Sequence, residues 1–287
     1  MKHLLFFLSI LIPVLYFTSC SKENNREEEI EVSEICDYTE SHLRGIYKEA
    51  GKVHNNGLES FYNYLSTQYP RNTYEIHINT INEIIFDSIR HYTSGTINEP
   101  GYYLTDSFYF SDSAENMPFA DLAFRAGKLT TSPELNAAAL DIKNLIFNSW
   151  EDPELNKKFD LLVDQKLPLL SDCLERFIFV SMASVAKSSC YYWSHEGTRW
   201  VSLQNPNIVD FRGNPWKKAA YADARGAAMG AVRGAITGMI GGTVAIPGLG
   251  TAVGGAGGVM VGMITGAIAN SAGSGLLSAG RWLIGWD

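Results

Sequence analysis

GAAMGAVRGAITGMIGG (residues 226–242) and GTAVGGAGGVMVGMITG (residues 250–266) decide how this chain is read. In the first, Gly226, Gly230, Gly234, Gly238 and Gly242 recur at every fourth position; in the second, Gly250, Gly254, Gly258, Gly262 and Gly266 do the same. Four residues is close to one helical turn, so each set lines up as a smooth stripe along a helix. A stripe without side chains lets another backbone come close, as in small-xxx-small helix pairs. Val232, Ile236, Met239 and Ile240, then Val259, Met260, Val261, Met263, Ile264 and Ile268, supply the larger apolar surface. Pro247-Gly248 stands between the two sets, where a reversal is needed. The expectation is two helices folded back on each other, glycine face to glycine face.

The physical chemistry of such a segment is unusual. Each interior glycine costs a helix up to about 1 kcal/mol relative to alanine, so ten of them oppose helix formation in water. Close packing or a membrane must recover that cost. In lipid every backbone amide needs an internal partner, which forces the helix. From Gly234 to Gly280 no side chain is charged, over roughly 45 residues. A collagen-like reading fails, because the period is four and the partners are Ile, Val and Met. Arg225 and Arg233 interrupt the first helix as an apolar span, whereas the second is long enough to cross a bilayer. The competing reading is a tight hairpin buried against the rest of the protein.

The preceding chain reads as helical. Ser33-Glu34 opens a helix through Lys52, and Gly57 to Gln68 forms another, ending at Pro70. Thr73 to Tyr92 carries an isoleucine stripe at helical spacing, and Gly95 to Asp112 reads as an aromatic-rich loop. Ser132-Pro133-Glu134-Leu135 and Asp152-Pro153-Glu154-Leu155 each set a capping side chain, proline at the first helical position and an acid in the first turn. A long helix then runs from Leu167 to Tyr192. The fold class is therefore all-α: a helical globular domain over 33–215, followed by a glycine-rich helical hairpin over 216–287.

At the other end, Met1-Lys2-His3 is a short basic start and Leu4 to Phe17 is apolar, with Phe17-Thr18-Ser19-Cys20 after it. This is the layout of a signal peptide over residues 1–19 rather than of a spanning helix. A cysteine directly after Thr-Ser resembles the relaxed lipobox of Gram-negative lipoproteins, with Phe17 in place of the usual aliphatic residue. The resemblance implies cleavage before Cys20 and lipid on that cysteine. Residues 20–32 then form a polar, acidic tether with too little apolar surface to order itself. It resembles the acidic segments that direct some such lipoproteins to the outer cell face, against the alternative of a plain solvated spacer. The expected location is the cell envelope, lipid-anchored, at the outer membrane with surface exposure.

The formal net charge is -8, and loss of Lys2 with the leader makes it more negative, so a nucleic-acid partner is not expected. With Cys20 lipidated, Cys36, Cys173 and Cys190 remain, an odd number that leaves one free thiol in an oxidising compartment. Cys173 and Cys190 lie ~25 Å apart along one helix, so any bridge joins Cys36 to one of them.

Catalytic motifs are scarce. HEGTRW at 195–200 lacks the second histidine of a zinc-protease helix, and no GxSxG, Walker loop or dinucleotide fingerprint precedes the glycine tract. His42, His54, His77 and His91 are scattered and read as surface or hydrogen-bonded residues. No enzyme activity, metal or cofactor is expected. Tyr191, Tyr192, Trp193 and Trp200 form the densest aromatic cluster. They are a candidate binding patch, against the alternative of a core corner closing the long helix on its domain.

Taken with the lipobox, the tract from Asp223 to Gly275 resembles glycine-zipper proteins, a class found among bacterial envelope lipoproteins, pore-forming peptides and two-peptide bacteriocins. The resemblance covers about a fifth of the chain. It implies a non-enzymatic envelope lipoprotein whose C-terminal hairpin inserts in, or self-associates at, a membrane, with membrane lipid as a partner. The alternatives are a secreted pore-forming or bacteriocin-like toxin with the helical domain as delivery module, and a soluble surface binding protein with the hairpin in its core.

Overall fold

The computed structural model describes residues 39–68, 116–125, 130–204, 214–238, 243–246, 250–253 and 267. These residues form α1 (Glu40–Gln68), α2 (Phe119–Arg125), α3 (Pro133–Asn148) and α4 (Leu155–Lys166). A 3₁₀ turn (Leu167–Leu169), α5 (Cys173–Gln204), α6 (Asn214–Gly238) and the strands β1 (Thr243–Ile246) and β2 (Gly250–Val253) follow. The described part is thus predominantly helical, as the sequence leads one to expect. The leader, Cys20, the tether, the segments 73–92 and 95–112, and Gly242, Gly254, Gly258, Gly262 and Gly266 lie outside the described residues.

Two helices carry the core. Phe177 to Ala186 of α5 and Ala219 to Val232 of α6 are unbroken runs of buried residues, so neither stretch keeps a solvent face. A helix buried all round is a central element rather than an amphipathic surface one. Alanine and glycine make this feasible in α6, because thin side chains allow neighbours on every side. α6 packs most extensively on α5, and α1 is the next largest partner of α5. α3 and α4 pack on each other and on α5, while α2 and α3 also touch α6. The expected seam at 215/216 falls at the start of α6, which packs along α5. No helix among the described residues is long and apolar enough to cross a membrane.

Several local expectations change. The two helices expected on either side of Asn55-Asn56-Gly57 are one, α1. That tripeptide is a turn signal, but Val53, His54, Gly57 and Leu58 are buried, and tertiary packing overrides the local preference. At the expected start of the long helix, Pro168 sits in the 3₁₀ turn and the chain restarts at Asp172, whose carboxylate accepts from Glu175 N (2.7 Å). The helix then runs on to Gln204, taking HEGTRW with it. Ser132 caps α3 as expected, its hydroxyl accepting from Leu135 N (3.1 Å) with proline at the first turn. Asp152 instead bonds Glu154 N (2.8 Å) in a turn, so α4 opens at Leu155.

The reversal after α6 is a β-hairpin. Thr243 pairs with Val253 and Ile246 with Gly250, antiparallel, across the three residues 247–249. Gly250 therefore stands on a strand and not on a helical stripe. The β-branched residues Thr243, Val244, Ile246, Thr251 and Val253 favour the extended backbone. On α6 itself, Gly226, Gly230 and Gly234 are buried, and Gly238 is the last helical residue.

Close approach of backbones occurs most sharply elsewhere. A Cβ on Gly51 of α1 would lie 2.1 Å from Ser188 Oγ and 2.4 Å from the Ser184 carbonyl oxygen of α5. Ser184 Oγ donates to Tyr47 O (2.7 Å) and accepts from Gly51 N (2.9 Å). Those are the two groups that an unbroken α-helix bonds to each other. The hydroxyl of α5 therefore bridges two groups of the hydrogen-bond ladder of α1. Asn55 Nδ2 donates to Ser188 O (3.1 Å) one turn on.

Candidate functional site

The three core helices meet at a buried polar cluster. α1 presents His54 and Asn55, α5 presents Ser189, Cys190 and Trp193, and α6 presents Asp223. His54, Ser189 and Asp223 are fully buried. The Asn55 amide, donating through Nδ2 to Ser188 O, turns its Oδ1 toward His54 Nδ1 at 3.0 Å. That sets Nδ1–H as the donor and leaves Nε2 facing α6. Ser189 Oγ lies 3.4 Å from the same Nδ1. Nε2 is 3.8 Å from Asp223 Oδ2, beyond hydrogen-bond reach, and that oxygen accepts instead from Trp193 Nε1 at 2.8 Å.

Burial dominates the electrostatics. It pulls the His54 imidazole down from 6.5 to about 4, outweighing the hydrogen bonds to Asn55 and to the Ala267 backbone, which favour the proton. Burial also pushes the Cys190 thiol well above its usual range, and the Asp223 charge adds to this. The imidazole is therefore neutral at physiological pH and the sulfur is a thiol. Serine, histidine and aspartate do meet here, but without a hydrogen bond from His54 to Asp223 and without exposed surface for a substrate. What these groups can do is hold three helices together and exchange protons when they part.

The aromatic candidates divide. Tyr192, Trp193 and Trp200 are 4%, 1% and 0% exposed, so they do not form a surface patch. Trp193 stacks on Trp216 of α6 (5.1 Å between centroids, 6° between planes), and Trp200 packs against Phe61 and Tyr62 of α1. Trp200 Nε1 donates to Tyr192 Oη at 3.0 Å. A Cβ on Gly197 would lie 2.5 Å from the Trp216 ring, so this glycine makes room for the stack. Only Tyr191 is exposed, at 59%, with its ring on His195. The reason is the helical register of α5, which turns Tyr192, Trp193 and Trp200 inward together. The core-corner alternative describes these residues.

Cys173 is disulfide-bonded, to a partner outside the described residues, and Cys190 is a free thiol. A cleft of about 530 Å³ opens between α1, α4 and α5. Six of its charged side chains pair with one another, Arg44 with Asp164 (2.6 Å), Lys187 with Asp160 (2.6 Å) and Lys52 with Glu49 (2.8 Å), and Lys48 lines the cleft beside them. Tyr47 Oη donates to Asp160 at 2.8 Å. Ligands entering here compete with bonds already made. Among the described residues, no group of three His, Cys, Asp or Glu could hold a metal ion.

Neither a family model, nor a curated protein, nor a solved structure matches the chain.

The His54 cluster escaped the sequence reading. One signal was available: Asp223 is the last acid before the C-terminal residue and sits among alanines and glycines, where a carboxylate needs a reason.

Proposed function

We propose that this protein is a non-enzymatic, lipid-anchored protein of the cell envelope, tethered through Cys20, in which the first half of the glycine tract is a core helix. The observation that carries this reading is the continuous burial of α6 from Ala219 to Val232. A helix already surrounded by its own domain has no face left for a membrane or a second copy. The thin residues at Gly226, Gly230 and Gly234 then serve packing within the molecule. The disulfide at Cys173 supports an exported protein, since such bonds persist in oxidising compartments. Anchoring falls to the lipid and binding to the exposed domain, with no reaction assigned.

The test is flotation of the mature chain carrying Cys20→Ser with phospholipid vesicles at pH 7, alongside palmitate labelling of the unaltered precursor. The expected result is labelling that requires Cys20, and an unlipidated chain that stays with the aqueous fraction and releases no trapped dye. Co-flotation without lipid would favour insertion through the glycine tract, and dye release would favour the pore-forming alternative. Labelling that survives in Cys20→Ser would refute the anchor.

A further inference from the structure

The cleft of about 530 Å³ between α1, α4 and α5 has the size of a small-molecule site, and charged side chains dominate its walls. We propose that it binds a small dicarboxylate, whose two carboxylates take over the donors now held by Asp160 and Asp164 of α4. The inference does not rest on the lipid anchor; it gives the exposed domain a class of ligand.

The charge balance sets the sign of the ligand. The whole chain carries a formal net charge of -8, yet four cations line the cleft, Arg44, Lys48, Lys52 and Lys187, against the carboxylates of Glu49, Asp160 and Asp164. Arg44, Lys48 and Lys52 stand at successive turns on one face of α1, where like charges four residues apart oppose the helix. Glu49 answers Lys52 (2.8 Å), while Glu40 (3.1 Å) and Asp164 (2.6 Å) both answer Arg44. Lys48 is exposed on the same wall and pairs with no carboxylate among the described residues. The surplus charge of the cleft is therefore positive, and it sits at Lys48.

The bonds already made specify what the donors hold. Asp160 accepts from Tyr47 Oη (2.8 Å) and from Lys187 Nζ (2.6 Å), and one turn further along α4 Asp164 accepts from Arg44 Nη1 (2.6 Å). Burial and the Asp160 carboxylate push the Tyr47 phenol above its usual range, so it stays a donor. Two carboxylates one helical turn apart, ~6 Å, thus satisfy this set of donors. A flexible six-carbon dicarboxylate spans the same distance. Exchange is cheap, because Asp160 and Asp164 are 49% and 55% exposed and return to water when displaced. Arg44 keeps Glu40 throughout, and α4 keeps its packing on α3 and α5. Lys48 decides the exchange, since its charge attracts an entering anion and serves neither aspartate.

Titration calorimetry on the mature chain with Cys20→Ser, without lipid, at pH 7 and low salt, tests this with adipate, its uncharged diamide and 1,6-diaminohexane. Adipate should bind and the other two should not. Asp164→Ala removes a competitor and should tighten adipate ~3-fold, whereas Lys48→Gln should weaken it ~3-fold, the scale of one exposed ion pair. Both side chains are exposed, so neither change threatens the fold. No binding of adipate, equal binding of the diamide, or weaker binding in Asp164→Ala overturns the proposal. An unchanged affinity in Lys48→Gln overturns it too, since adipate would then sit elsewhere. Binding of the diamine in place of adipate overturns it by assigning the cleft to a cation. Neither Cys20 nor a vesicle takes part, so failure of the lipid anchor leaves each of these results standing.

Discussion

Gly51 and Gly45 lie less than two turns apart on α1, and alanine should move stability in opposite directions at the two sites. A Cβ at Gly45 meets nothing within 4 Å, so Gly45→Ala gains only the helical preference of alanine. That is up to about 1 kcal/mol, or roughly 2–4 °C in Tm for a domain of this size. Gly51→Ala gains the same preference and then places its methyl 2.1 Å from Ser188 Oγ, 2.6 Å from Ser188 Cβ and 2.4 Å from the Ser184 carbonyl oxygen. A side chain can move, but the carbonyl belongs to the central helix, so α1 must lift from α5. Lifting strains or breaks the bonds from Ser184 Oγ to Tyr47 O and Gly51 N. Overpacking costs about 1–3 kcal/mol and the hydrogen bonds about 1 kcal/mol more, against about 1 kcal/mol gained. The net is a loss of about 2 kcal/mol, or roughly 4–8 °C. Paired thermal and urea unfolding of the two variants measures it. Adding Ser188→Gly to Gly51→Ala should recover only part of the loss, since the carbonyl contact remains. A Gly51→Ala protein as stable as Gly45→Ala would refute the close approach of these helices.

Gly197→Ala drives a methyl into the Trp216 ring and should cost about 1–3 kcal/mol while shifting tryptophan emission, because Trp216 is stacked on Trp193. Ser132→Ala removes the cap of α3 and one donor to the buried Glu175 carboxylate, for a loss of about 1–2 kcal/mol in urea unfolding; no loss would mean that α3 does not depend on its cap. A mature chain ending at Pro215 lacks nearly all of α6, so α5 loses its largest partner. It should bind a hydrophobic dye and unfold without cooperativity, and a sharp transition at the parent Tm would show that α6 is not part of the core.

The parts of this fold that could be read from the sequence are those set by local chemistry. Ser132-Pro133-Glu134 marks its helix because cap, proline and first-turn acid all act within a few residues. The four-residue glycine recurrence marks α6 as a helix with a face to bury, which holds for Gly226, Gly230 and Gly234. What escaped was set across the chain. Asn55-Asn56-Gly57 looks like a turn until α5 is laid against it. Gly51 and Gly197 look like isolated weak points, although each answers to a residue on another helix. The same holds for the site: His54 and Asp223 carry no local pattern, and only the docking of α1, α5 and α6 makes them neighbours. Tyr192, Trp193 and Trp200 were legible as a cluster but not as inward-facing, since helical register alone does not say which side is wet. At the hairpin, β-branched residues outweighed the glycine spacing, so Gly250 left the stripe.

The Ser184 hydroxyl bonded to the backbone of α1 bears on how the molecule breathes. An amide in mid-helix ordinarily exchanges its hydrogen when a few turns of that helix fray, whatever happens to its neighbours. The amide of Gly51 is bonded to a side chain of another helix, so its hydrogen is freed when α1 and α5 separate. Its exchange therefore records undocking, while amides toward the ends of α1 record fraying. The two helices meet in a bond that belongs to both.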